Sequence, residues 1–542
     1  MAHLMDILQR VSRTDPEKTA ICHDGRELSY GELLRRVHAT AARLGPSPGA
    51  VAVLTDRSPA TVTALLGVLA AGGTYCPVDP AFPAARGRAL LEAAGCRTVI
   101  AARPGATVPE GTEGVERLLE AERDPAPEDL PPAETGTPTE TATPATPGTL
   151  AMSGVHPDPE LPAYTLFTSG STGAPKPVLT PRRALDAAVA SLRDLFGLRP
   201  CDRVLQFASL NWDTCFEEIL PALTGGATLV FHREAYTGSF PRLLKAVAAQ
   251  GVTVLDLPTA FWHELVLHLA EDATPLPDCV RTVVIGGEAV SPARLADWRA
   301  LGTGRVRLVN TYGCTETTLI THAVDLHGPR APGEGAWWGE GERVPIGTAL
   351  PHVRDAVGDD GELLISGPAL ALGYRDLPDA TAERFVTRQG PDGAERWFRT
   401  GDRVGRRADG LLEHRGRLDA EIKVRGIRVD PAEVEAHLTG HPLVGAAAVV
   451  GSRAGGRTTM TAYLVPQQAT ATAADTLPRE VLAYLRETVP AHLVPHRVTV
   501  VPELALTASG KVDRAATHRR HDPRAAAGPR PEGPGGTAPG TA

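Results

Sequence analysis

Residues 161–178, LPAYTLFTSGSTGAPKPV, bring Thr168, Ser169, Gly170, Ser171, Thr172 and Gly173 together behind an apolar run and close on Lys176. A glycine-rich backbone exposes N–H donors, the hydroxyls add more, and the ammonium supplies a point charge, which together make a nest for phosphate oxygens. The spacing is not the G-x-x-x-x-G-K-[ST] of a Walker-type loop. Further along, NTYGCTET (310–317) offers Tyr312 as a flat surface for a base and Glu316 as a hard oxygen ligand suited to Mg2+. RTGD (399–402) offers Asp402 as a carboxylate able to accept both hydroxyls of a ribose, and LTASGKVDR (506–514) sets Lys511 in a glycine-bearing loop.

Lysine occurs only at 18, 176, 245, 423 and 511, although the chain has 55 basic residues. Arginine is the default cation here. A compact ammonium on a flexible stem differs from a planar guanidinium fork, so Lys176, Lys423 and Lys511 are marked as positions where arginine would not serve.

The elements that must position these groups alternate. Before residue 100, strand-like VAVLTD and CRTVIAA alternate with helical YGELLRRVHATAARL and PATVTALLGVLAAG. The pattern resumes with strands RVLQFAS, ATLVFH, VTVLDL, RTVVIGG and RVRLVNTYG, and with helices WDTCFEEILPAL, FPRLLKAVAAQG and AFWHELVLHLA. Strands alternating with helices predict an α/β fold with a largely parallel sheet, and ligands then sit beyond the strand C-termini, at loops such as 286–288 and 310–316. A β-rich subdomain is expected from about 342 to 418, and a small αβ domain to 516. Residues 124–160, rich in Pro, Thr and Glu, read as a disordered insertion or a long linker, and the stretch from 517 to 542 as a disordered tail.

At 542 residues the chain is long enough for two or three domains. Seven cysteines, scattered and never in a C-x-x-C pair, argue against a disulfide framework and a structural zinc site. A net charge of -9 gives no broad basic surface for nucleic acid. No stretch approaches the roughly 20 apolar residues of a membrane span, and MAHLMDILQRVSRTDPEK is unlike a secretory signal. A cytoplasmic location is expected.

These motifs, in this order from about residue 20 to 516 and with LSYGEL (28–33) and GVLAAGGTYCPVDPAFPAAR (67–86) ahead of them, resemble the adenylate-forming superfamily. Within it they are most similar to the amino-acid-activating adenylation domains of nonribosomal peptide synthetases. The resemblance implies a large N-terminal region, residues 1–418, and a small C-terminal domain, 419–516, that rotates about a hinge at Asp419. It implies ATP with Mg2+, attack of a substrate carboxylate on the α-phosphate, and then transfer of the acyl group to a phosphopantetheine thiol. Thr168 to Gly173 with Lys176 would grip the departing phosphates, and Glu316 would hold Mg2+. Tyr312 would stack on adenine and Asp402 would bind ribose near Arg417, with Gly287, Glu288, Gly313 and Thr315 around the nucleotide. Lys511 would bridge the carboxylate and the α-phosphate. Lys423 reads either as a solvated strand lysine or as a participant in the thioester-forming conformation. Pro177 and Cys314 depart from the family pattern at positions expected to be peripheral.

The same resemblance places a substrate pocket at Asp213, Thr214, Glu217, Asp256, Val284, Gly286, Thr311, Leu319 and Ile320, with Lys511. In amino-acid-activating members the residue at Asp213 pairs with the α-ammonium. Asp213 and Glu217, four apart on LNWDTCFEEIL, share one helix face. Three enclosed carboxylates raise one another's pKa unless cations arrive, so Glu217 and Asp256 call for a basic side chain: arginine or a cyclised relative, ornithine, lysine or β-lysine. With no carrier stretch after Lys511 and no H-H-x-x-x-D-G before residue 20, a freestanding enzyme is expected, using a carrier protein in trans and an MbtH-like activator. The competing readings are an acyl-CoA or amide ligase and an inactive binding relative.

Overall fold

The computed structural model describes residues 3–103, 105–109, 112, 114–120, 158–170, 175–331, 343–390, 393–419, 421–424, 426–454, 457–468, 471–507 and 512–522. The chain divides into two compact units, Met1–Ser169 with Pro175–Arg428, and Val429–Ala542 with Gly170–Ala174. Residues 121–157, which hold most of the Pro/Thr-rich insertion, and the tail from 523 lie outside the described residues.

The larger unit is built on three sheets. One has seven strands, in the order Gly373–Tyr374, Lys176–Pro181, Pro162–Thr168, Thr74–Val78, Ala50–Leu54, Thr98–Ala101 and Arg117–Glu120. A second has nine strands, running from Thr348–Ala349 through Ile320–His327, Arg307–Gly313, Thr282–Gly286, Val254–Pro258, Arg203–Leu205, Thr228–Phe231 and Thr19–His23 to Arg26–Ser29. The expected alternation of strands and helices is present, divided between these two sheets. The division was not legible locally because Thr19–His23 pairs with Thr228–Phe231, Ile21 opposite Leu229, across most of the intervening α/β elements.

Helices Tyr30–Leu44, Pro59–Ala70, Arg182–Phe196 and Thr214–Thr224 join the two sheets in one core. The first begins where Ser29 accepts a hydrogen bond from the N–H of Glu32, a side-chain cap that satisfies one of the free donors of a helix start. The second is buried from Ala60 to Leu69, as a helix apolar on every side must be. Tyr30 is fully buried and donates towards the carbonyls of Ala227 (2.7 Å) and Leu223 (3.1 Å), anchoring its helix to the turn beyond Thr214–Thr224.

The third sheet is the expected β-rich subdomain: antiparallel strands Arg354–Val357, Glu362–Ser366, Gly393–Arg406 and Phe385–Gly390, with Leu412–Arg417 on Gly393–Arg406. In the smaller unit Val444–Ala454, Arg457–Pro466 and Arg497–Val500 form a sheet, accompanied by helices Pro431–Thr439 and Ala471–Thr488. A helix, Arg514–His521, continues past the expected end of this unit at 516. Asp513 caps it through the N–H of Ala516, buried Thr517 accepts the N–H of Ala505, and the Tyr463 hydroxyl meets His518 Nδ1 at 2.6 Å. Tertiary hydrogen bonds thus order a stretch whose composition reads as tail.

Tyr30→Phe is expected to lower the stability of the larger unit by about 1–2 kcal/mol. The check is a fall in the urea midpoint with an unchanged slope.

Candidate active site

A cavity of about 270 Å³ in the larger unit collects Thr168, Trp212, Asp213, Thr214, Glu217, Asp256, Gly286, Gly287, Thr311, Gly313, Thr315, Glu316, Leu319, Ile320, Asp402 and Arg417. Lys423, Gly426, Ile427 and Arg428 also line it. It lies past the C-terminal ends of Val254–Pro258, Thr282–Gly286 and Arg307–Gly313, adjacent parallel strands of the nine-stranded sheet, where an α/β fold leaves its crevice.

The chain reaches Glu316 through a forced turn. A Cβ on Gly313 would overlap the Leu319 carbonyl, so this close return of the chain admits only glycine. Thr318 and Leu319 then take φ of 56° and 65°, uncommon for side chains of their size. The turn sends Glu316, Leu319 and Ile320 to one cavity. Glu316 is buried; its Oε1 accepts from the Tyr374 hydroxyl at 2.8 Å. Its Oε2 accepts no hydrogen bond among the described residues and stands 3.6 Å from Arg428 Nη1. A buried carboxylate oxygen left without a donor fits a hard divalent cation.

Asp402 is held from three sides. Its Oδ2 accepts from the Tyr312 hydroxyl at 2.6 Å, while Oδ1 meets Arg417 Nη1 at 2.8 Å and His414 Nε2 at 3.0 Å. Burial pushes its pKa up, but the His414 hydrogen bond and the charges of Lys423 and Arg417 outweigh this and hold it well below the carboxylate range. The Lys423 ammonium lies 5.7 Å from the centre of the Tyr312 ring. Asp419 accepts Arg417 Nε at 2.6 Å and Arg384 Nη2 at 3.1 Å, and residues after it up to Arg428 belong to the larger unit.

Across the cavity the carboxylates have few partners. Asp213 stands at the start of helix Thr214–Thr224 with its pKa pushed up to about 6, by burial first, against hydrogen bonding from Thr315. Burial, then the charges of Asp256, Asp213 and Glu218, raise Glu217 well above the carboxylate range. Burial pushes Asp256 up to about 7, and its Oδ2 accepts no hydrogen bond among the described residues. Glu218 differs: it accepts the N–H groups of Phe207 and Ala208, both at 2.9 Å, and Gln206 Nε2 at 3.0 Å. Those bonds end the strand at Leu205 and leave the rest of RVLQFAS as a loop along the cavity.

The remaining expected residues lie as follows. Ser169 Oγ donates to the Arg428 carbonyl at 2.6 Å, and Gly170 is buried beside it. Ser171, Thr172, Gly173 and Lys511 lie outside the described residues. Lys176 is directly opposite Thr168 in the antiparallel pair that carries the loop, its ammonium 5.6 Å from the Tyr374 ring centre. Glu288 accepts the N–H of Gly426 at 2.6 Å. Val284 is fully buried in the core with Leu319 and Ile320, and Gly286 leaves room for the Thr311 hydroxyl, which a Cβ would overlap. Cys314, expected at the periphery, is on the cavity wall, because the turn after Gly313 folds it inward. Trp212, His414, Tyr374 and Arg428 were missed. Lysine scarcity had singled out Lys423, but nothing local distinguishes Arg428 from the other arginines.

In the larger unit two α/β sheets and an antiparallel subdomain meet at a cavity past the strand C-termini, which defines a nucleotide-dependent ligase architecture. The chain belongs to the AMP-binding enzyme family, whose model matches residues 8–375, and the AMP-binding enzyme C-terminal domain matches 433–511. It is an adenylate-forming superfamily member with relatives in nonribosomal peptide synthesis. It is 42% identical over 504 residues to the isonitrile lipopeptide synthase of Streptomyces coeruleorubidus, covering 92% of this chain and 32% of that protein. The chain therefore spans about a third of that relative's length. Its fold is similar to NpsA-ThdA, an artificially fused adenylation-PCP di-domain from Klebsiella oxytoca, with TM-score 0.74, 26% identity and coverage of 92% and 94%. It is also similar to the amide bond synthetase McbA from Marinactinospora thermotolerans, with TM-score 0.75, 25% identity and coverage of 95% and 99%.

The adjacent glutamates should respond oppositely to neutralisation. Glu217→Gln removes a buried carboxylate facing Asp256, Asp213 and Glu218 and is expected to stabilise by about 1 kcal/mol at pH 8, whereas Glu218→Gln should cost about 2 kcal/mol through its backbone donors. Because Glu217 is raised, the folded state holds its proton above the pH at which the unfolded chain loses it, so stability falls as pH rises past the usual carboxylate range. Glu217→Gln should flatten that fall in thermal melts between pH 5 and 8.

Proposed function

We propose that this protein activates an amino acid with a basic side chain as its aminoacyl-AMP and passes the acyl group to a carrier thiol. One observation carries the reading: three carboxylates, Glu217 and Asp256 buried and Asp213 half-buried, share a cavity with Glu316, Asp402, Arg417 and Lys423. Asp213 takes the α-ammonium. Glu217 and Asp256 take a second cation, which offsets the burial that raises both and the neighbouring charge that raises Glu217 further. An ornithine, lysine or β-lysine ammonium, or the guanidinium of arginine or a cyclised relative, meets that requirement.

In the first step a substrate carboxylate oxygen bonds to the α-phosphorus as the bond to the bridging oxygen breaks and pyrophosphate leaves. In the second, a thiol sulfur bonds to the acyl carbon, the acyl–phosphate bond breaks and AMP leaves. Charge grows on phosphorus oxygens in the first step, and donors fixed in advance stabilise it without reorganisation. Thr168 to Gly173 and Lys176 are assigned to the departing phosphates, Lys511 to the space between carboxylate and α-phosphate, and Asp402 with Tyr312 to the nucleoside. Glu316 would hold Mg2+, which when bound neutralises phosphate charge. Asp419 is assigned as the hinge between 1–418 and 419–516. The fused di-domain among the similar structures supports a carrier protein as acyl acceptor, and an MbtH-like activator is proposed as an accessory. Among the described residues no helix is long and apolar enough to cross a membrane. The likeness to an amide bond synthetase supports a second reading, in which an amine accepts the acyl group directly.

Amino-acid-dependent ATP–pyrophosphate exchange tests the reading. A basic amino acid should give the highest rate, Lys511→Ala should lower exchange at least about a hundredfold, and Glu217→Gln should shift preference towards neutral side chains. A neutral apolar acid as best substrate would overturn the assignment of the cation. Affinity for the basic acid should also rise as pH increases through about 7, as Asp256 ionises while the ligand's ammonium stays charged. Equal affinities at pH 6 and 8.5 in calorimetry would count against the dyad.

A further inference from the structure

The segment 369–374 is stitched to the turn that carries Glu316. Thr318 Oγ1 donates to the Ala369 carbonyl at 2.7 Å, the N–H of Ala371 donates to the Glu316 carbonyl at 2.9 Å, and the Tyr374 hydroxyl donates to Glu316 Oε1 at 2.8 Å. The segment ends in Gly373–Tyr374, the edge strand of the seven-stranded sheet. Gly373 pairs with Leu179 and Tyr374 with Val178, on the strand that opens with Lys176. The Lys176 ammonium lies over the Tyr374 ring. One nearly buried side chain therefore touches both the lysine of the hydroxyl-rich loop, on one sheet, and the glutamate of the forced turn, on the other.

We propose that Tyr374 is a positioning residue that couples phosphate grip to metal grip. Its hydroxyl occupies Glu316 Oε1 and so leaves Oε2, which accepts no hydrogen bond among the described residues, as the oxygen that would hold a divalent cation. Its ring gives the Lys176 ammonium a resting place at the rim of the phosphate nest, where a cation over an aromatic face is favoured. The hydroxyl and the ring thus do separable work. The proposal rests on the nucleotide-activating reading of the cavity and is independent of which amino acid is used.

The test is calorimetric binding of ATP to the full chain, with and without Mg2+, for wild type, Tyr374→Phe and Tyr374→Leu, with thermal melts establishing that each variant is folded. Tyr374→Phe keeps the ring and removes the donor. It should retain the Mg2+-free ATP affinity and lose about tenfold of the enhancement that Mg2+ gives, and the Mg2+ concentration for half-maximal pyrophosphate exchange should rise by a similar factor. Tyr374→Leu should lose both affinities. If Tyr374 only fills the core it shares with Val178 and Phe385, the phenylalanine variant will match wild type at every Mg2+ concentration, and the proposal fails. A uniform loss in both conditions would overturn it equally, since a general packing defect has no reason to follow the metal. Wild-type protein that binds no ATP in either condition would take down the reading of the cavity itself, and this proposal with it.

Discussion

Asp402 can remain ionised in a buried position only because three elements supply donors or positive charge to it. Tyr312 comes from the nine-stranded sheet, His414 and Arg417 from a strand of the subdomain, and Lys423 from the segment just after. Removing water from a carboxylate is expensive, and the expense falls when each oxygen receives charged or hydroxyl donors of good geometry. This junction pins the subdomain to the end of the strand that leads into the Glu316 turn, so the half of the cavity around Asp402 inherits its geometry from a single satisfied anion. Arg417 extends the network to Asp419 and Glu421, which orients the chain leaving the subdomain.

The opposite half of the cavity follows the reverse rule. Among the described residues no arginine or lysine pairs with Glu217 or Asp256 beside Asp213, and burial raises the pKa of both. Burial raises Glu218, one residue away, as well, but its oxygens accept the N–H groups of Phe207 and Ala208, which lower it in part, so the contrast between the two glutamates lies in their hydrogen bonds. One cavity thus holds a settled anion where a nucleoside is assigned and unsettled anions where a cation is assigned. Such an arrangement stores binding energy for a ligand of complementary charge, at some cost to the stability of the empty protein.

Backbone strain also marks the turn between these halves. Thr318 and Leu319 adopt positive φ, Gly313 passes against the returning chain, and Thr318 and Glu316 are fastened to the 369–371 backbone. Backbone kept in sparsely populated regions persists only where its surroundings fix it, and here it delivers Glu316, Leu319 and Ile320 to one wall within five residues.

The sequence by itself determined the alternation of strands and helices, the two units, the loop with Lys176, the Tyr312–Glu316 and Asp402 motifs and the shared face of Asp213 and Glu217. These are local facts: a 2.0 or 3.6 residue period, a glycine where a chain must turn, a lysine kept where arginine is the default. Tertiary structure decided the split into two sheets, because strand partners such as Ile21 and Leu229 are chosen by long-range packing. It also decided which of two neighbouring glutamates is free, the inward place of Cys314, the continuation of helix Arg514–His521 and the meeting of Tyr374 with Glu316 and Lys176. Each depends on groups far apart in the chain arriving within hydrogen-bond or ring-contact distance. No periodicity encodes that arrival, since it follows from how whole sheets pack rather than from any residue's own neighbours.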